Sequence, residues 1–211
     1  MIHLLEIAIQ GVSAAICFWL AYRLRALGIW ALAPLAWLAL AFAASRIGFF
    51  ARPGAWSEGD TLGFILFGTL LFVPVLSLIL AHRISPAFRA LVNATPSLTL
   101  RRIQTYRIFG GTFFFLAAAG LAPWELALWS GTLDVAIGLT AATALSNTRL
   151  WNILGLADFA GAIIFLNASL FGILALTPAP SGMGFGALAM ISLVQVPFAI
   201  ATHILLLTRH R

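Results

Sequence analysis

Asp134 and Asp158 stand in matched local frames, Gly131-x-x-Asp134 and Gly155-x-x-Asp158, each near the middle of a long apolar run. A charge at the centre of a bilayer costs at least about 2.5–3.5 kcal/mol, so each carboxylate must be paired, protonated or hydrated. Groups of this kind can exchange a proton, capture a cation or act as a general base. A helix rise of roughly 1.5 Å per residue puts Asp158 about 12 Å from one end of its helix and Asp134 about 13 Å from the opposite end of its own. In a core of about 30 Å both then lie near the midplane, and Gln195 falls at a similar level. Arg107 starts about 6 Å in from the basic side and is placed to meet Asp158. Arg46 either snorkels outward or pairs with Asp134.

The candidate binding set is therefore Asp134, Asp158, Arg107, Gln195, Asn152, Gln104, Arg46 and His203. Two readings compete. The charges either tether helices together or line a polar cavity, and intramembrane ionisable residues favour the second. Asp158, with Arg107 close by, reads as the structural carboxylate. Asp134, with only Arg46, reads as the functional one. Gly131 and Gly138 flank it by about a turn and leave room for a ligand or water.

Other chemistry lacks its signature. The sequence has no C-x-x-C, H-E-x-x-H, Walker or G-x-S-x-G pattern. His82 and His203 have no spacing motif that supports a bis-histidine haem. A retinal Schiff base needs a lysine, and all twelve cationic residues are arginine. The Pro-Gln pairs of compact seven-helix sugar carriers do not occur. Cys17 is the single cysteine, so no intramolecular disulfide is possible. The sequence names no cofactor.

The elements that must position these residues are membrane helices. The 211 residues are 62% hydrophobic and 9% charged, with a mean hydropathy of +1.05. A soluble domain carries about 25% charged residues. The pattern predicts one all-α transmembrane domain over 1–211, a polytopic bundle of about seven spans. They cover about 4–22, 29–50, 61–81, 103–122, 125–145, 150–176 and 185–207. The first reads as a retained helix rather than a signal peptide, because no basic n-region precedes it. On it Glu6, Gln10, Ser13 and Cys17 form one polar stripe, read as a packing seam. The basic loop 82–102 contains Ser85-Pro86 and Thr95-Pro96, both helix-start signals. An interfacial helix is expected there.

Arginines gather at the helix ends of one side: Arg23, Arg25, Arg83, Arg89, Arg101, Arg102, Arg149, Arg209 and Arg211. The positive-inside rule makes that side cytoplasmic and the N-terminus external. The net charge of +6 is thus a topology signal, and nucleic acid is not an expected partner. The expected partners are the lipid bilayer and other membrane subunits or further copies of the chain.

From Gln104 onward the chain carries Gln104-x-Tyr106-Arg107-x-x-Gly110, Pro123, Gly131-x-x-Asp134-x-x-x-Gly138, Asn152-x-x-Gly155-x-x-Asp158, Pro197 and His203. In these residues it resembles an uncharacterised family of bacterial multi-pass inner-membrane proteins. The resemblance implies an integral membrane fold and supplies no reaction. Three functions stay open: a polar cavity that binds or moves a small solute, proton or ion; an accessory or assembly subunit of a larger membrane complex; and an intramembrane enzyme acting on a lipid-like substrate.

Overall fold

A computed structural model describes residues 2–46, 61–143, 148–170, 173–174 and 189–209. Every regular element among them is helical. The chain divides into two compact units, one of 1–89 with 181–198 and one of 90–180 with 199–211. The acidic loop around Glu58 and Asp60, the turn at Ser146-Asn147 and the Pro/Gly-rich stretch 177–186 lie outside the described residues.

In the first unit, α1 (Ile2–Leu24) runs into a 3₁₀ stretch, Arg25–Leu32, and then α2 (Ala33–Arg46). Gly28 breaks the run with φ 66° and ψ −127°, a backbone that side chains disfavour. The chain folds back there, so α2 packs on α1. The inner half of the polar stripe is a seam as expected: Ser13 and Cys17 are buried. Gln195 Nε2 donates to Ile9 O at 3.2 Å and to Ser13 Oγ at 3.1 Å. Trp37 Nε1 donates to Leu193 O at 2.7 Å. Gln195 sits in a π-helical turn, Ile191–Gln195. Its amide is thus committed to the helix seam of this unit.

α3 (Thr61–Ile84) contains Pro74 and is followed by α4 (Pro86–Ala94) at a bend of 101°. Ser85 Oγ caps α4 by accepting from Phe88 N at 3.2 Å, and Pro86 takes the first position, as its sequence predicts. α4 is amphipathic and buries Phe88 and Val92, one turn apart. The second start signal is shifted by one residue. Thr95 Oγ1 donates back to Leu91 O at 2.9 Å, closing α4, and Pro96 stands at the cap of α5.

The second unit contains the runs that carry the site. α5 (Ser97–Arg102) tightens into a 3₁₀ stretch, Ile103–Gly111, and reopens as α6 (Thr112–Ala118). Gly120, at φ 69°, closes α6 while Leu121 N bonds to Leu116 O at 2.8 Å. α7 (Trp124–Leu126) passes through a π turn, Ala127–Gly131, into α8 (Thr132–Thr140). α9 is Thr148–Leu170 and α10 is Val196–Thr208, of which 199 onward belongs to this unit.

Three helical runs among the described residues are long and apolar enough to cross a membrane: His3–Arg46, Thr148–Phe165 and Ile191–Thr208. The bent pair α3–α4 makes a fourth if it counts as one span. The segments expected to be plain spans over 103–122 and 125–145 are instead divided by the 3₁₀ stretch and the π turn. The 3₁₀ period also changes a face. Gln104, Arg107 and Gly110 are buried together, at the spacing of three that a 3₁₀ turn repeats, where α-helical spacing would place Gly111 instead of Gly110.

Candidate functional site

Arg107 lies on the 3₁₀ stretch, which packs along α8. The close approach depends on Gly138. A Cβ there would stand 2.6 Å from Ile108 N and 3.1 Å from Arg107 C, so only glycine lets the two backbones meet. A Cβ on Gly131 would stand 3.0 Å from Phe114 Cε2 and 3.3 Å from Gly110 O. The space expected beside Asp134 for a ligand is therefore filled by backbone and an aromatic edge. The two glycines bring Arg107 to Asp134 instead.

Arg107 Nε donates to Asp134 Oδ1 at 2.5 Å, and its Nη2 donates to Asp158 Oδ2. The expected pairing with Asp158 is present. The expected division of roles by partner is not, because one guanidinium holds both carboxylates. Arg46 is exposed, with its guanidinium 5.0 Å from the Phe42 ring centroid. The carboxylates of Asp134 and Asp158 thus meet on the same guanidinium. The side chains of Arg107 and Asp158 are each 1% exposed and that of Asp134 is 15% exposed, so Asp134 is the open edge of the cluster.

His203 completes the centre from α10. Its Nε2 is 2.9 Å from Arg107 Nη1, and its Nδ1 is 2.9 Å from Asn152 Oδ1. Arginine can only donate, so Nε2 must accept and the ring proton must sit on Nδ1, donated to Asn152. The imidazole is thus neutral, and neither nitrogen is left for a haem iron. Asn152 is itself held by Nδ2 donating to Thr148 O at 2.8 Å. Gly155 seats the imidazole, because a Cβ at that position would fall on the His203 ring.

The family model described as Domain of unknown function (DUF8737) matches residues 64–210, more than half of the chain. The chain belongs to that family. No curated protein and no solved structure matches it. The DUF8737 match takes in Arg107, Asp134, Asn152, Asp158 and His203, so the whole centre lies inside the family's own segment.

Aromatic rings wall this centre. Arg107 Cζ lies 4.5 Å from the Phe159 ring centroid, a cation–π distance, and the Trp151 and His203 rings are 4.9 Å apart. Trp129 Nε1 donates to Asp158 O at 3.2 Å. Ser130 Oγ and Asp158 Oδ1 are buried neighbours that lack a partner of good geometry among the described residues. Trp151, Phe159, Trp129 and Ser130 escape a search for charged residues. The spacing Trp151-Gly155-Phe159, one face of α9 at i, i+4 and i+8, is the signal that marks the first two. Gln104 is fully buried one 3₁₀ turn from Arg107, with neither amide atom bonded among the described residues. Among the described residues no group of three His, Cys, Asp or Glu side chains is arranged to hold a metal ion.

Proposed function

We propose that this is a multi-pass protein of the bacterial inner membrane, with seven spans and its basic side cytoplasmic, whose second unit takes up and releases a proton at the Asp134–Arg107–Asp158 centre. The observation that carries this is a charge count. One guanidinium is bound by two carboxylates, and His203 is neutral by its hydrogen bonds. With both aspartates ionised the buried cluster is one negative charge in excess, which a low-dielectric site tolerates poorly. One proton between the carboxylates restores neutrality, and a monovalent cation would do the same. Asp134 supplies the contact with the surroundings, and Asp158 is the inner position.

The test is proton flux into liposomes that contain the purified protein and a trapped pH dye, driven by a potassium diffusion potential. Wild-type protein is expected to carry flux above protein-free liposomes, independent of sodium, and Asp134→Asn to lose it. A sodium-dependent signal assigns the centre to a cation instead. A wild type with no flux removes the transport reading and leaves the cluster as a tether. The accessory-subunit reading would then stand, supported by the large exposed side chains Ile29, Trp30 and Leu32 at the Gly28 break.

A further inference from the structure

Arg101 is only 7% exposed, yet its Nε and Nη1 have no hydrogen-bond partner among the described residues. A buried cation without a counter-charge is among the most unfavourable arrangements a fold can hold. This guanidinium lines a cavity of about 280 Å³, bounded also by Ser97, Thr148, Arg149, Asn152 and Leu206. Water occupies about 30 Å³ per molecule in the liquid, so the cavity admits a polyatomic ligand. Among the described residues no carboxylate lines it, and two of its walls are arginines. A third arginine stands beside it, since Arg209 Nη1 donates to Ser97 Oγ at 3.3 Å. Thr148, Arg149 and Asn152, from the first described turns of α9, all line the cavity.

We infer that this cavity is an anion site for a phosphate group, with Arg101 as the buried donor, Arg149 as the cation at the rim, and Ser97 and Thr148 as hydroxyl contacts. Two cationic side chains and neutral hydroxyls suit a compact anion of one to two charges better than a neutral solute. Arginine is the residue that recognises phosphate oxygens through several directed donors. The phosphate can come from a lipid headgroup or from solution, and both offer the same oxygens to these donors. The site does not rest on the proton reading. The two are joined through Asn152, which lines the cavity and holds His203.

The experiment is thermal unfolding of the full chain in nanodiscs, followed by tryptophan fluorescence. One arm uses phosphatidylcholine discs titrated with inorganic phosphate against chloride at equal ionic strength. The other uses discs containing phosphatidic acid without free phosphate. Wild-type protein is expected to melt higher in at least one arm, and the arm that responds names the source. Arg101→Gln is expected to weaken the response about tenfold or more, the loss typical of one charge-assisted contact. Arg149→Gln, at an exposed position of α9, serves as a second variant if the first does not fold, with the same expected direction. No shift in either arm, or a full response from the folded variants, overturns the site.

Discussion

Replacing Arg107 by glutamine tests whether one cation holds two carboxylates. Removing one partner of a buried ion pair costs about 3–5 kcal/mol, because the orphaned charge stays in a low dielectric. With one proton between the two carboxylates, Arg107→Gln orphans the remaining negative charge, so that range applies. Asp158→Asn is a milder change. Arg107 keeps Asp134 at 2.5 Å, and the asparagine oxygen still accepts from the guanidinium. What is lost is the difference between a charge-assisted and a neutral hydrogen bond, about 1–2 kcal/mol. A chain of this size shifts its melting point by about 2–4 °C per kcal/mol, giving a drop of about 6–20 °C for Arg107→Gln and about 2–8 °C for Asp158→Asn. The double variant is expected to lose less than the sum of the two, since only Asp134 is then unpaired. The assay is thermal unfolding of the purified protein in detergent, with monodispersity checked beforehand. If Asp158→Asn falls as far as Arg107→Gln, or the double variant falls by the full sum, the shared-arginine account is wrong.

Gly138→Ala is expected to destabilise by about 1–3 kcal/mol or more, because its methyl group meets backbone rather than a movable side chain. Yield and melting temperature measure it, and an unchanged protein would mean that the 3₁₀ stretch and α8 are not in contact. Asn152→Ala frees the His203 tautomer and is expected to lower proton flux about tenfold or more, the usual effect of losing an orienting partner. Flux equal to wild type would remove Asn152 from the centre. Reporter fusions after Arg211 and within 53–59 are expected to report opposite sides of the membrane, with the C-terminus cytoplasmic. The same signal at both positions contradicts the proposed topology.

The helical class, the pairing of Arg107 with Asp158 and the start of α4 are legible in the sequence because each follows from local chemistry. A charge in an apolar run needs a partner, and Ser85-Pro86 is a start signal wherever it occurs. The remainder depends on long-range contact. Gln195 and the two aspartates lie at comparable depth by residue counting, but Gln195 is claimed by Ser13, 182 residues away in sequence. The glycines beside Asp134 look like ligand space until a second backbone is seen to fill it. His203 takes its role from Arg107 and Asn152, on two other elements, and no spacing rule links the three.

The 3₁₀ stretch has a consequence for how this part of the chain can change length. A 3₁₀-helix turns about 120° and rises about 2.0 Å per residue, so one edge repeats in threes. Gln104, Arg107 and Gly110 share that edge, and Arg101 stands one step before it. A single residue inserted between Thr105 and Tyr106 would swing Arg107 by about 120° away from both carboxylates. Three inserted residues would restore its direction but displace it by about 6 Å along the axis. No insertion within Ile103–Gly111 therefore preserves both the bearing and the height of the guanidinium. Chains that keep this centre must take up their length differences before Ile103 or beyond Gly111.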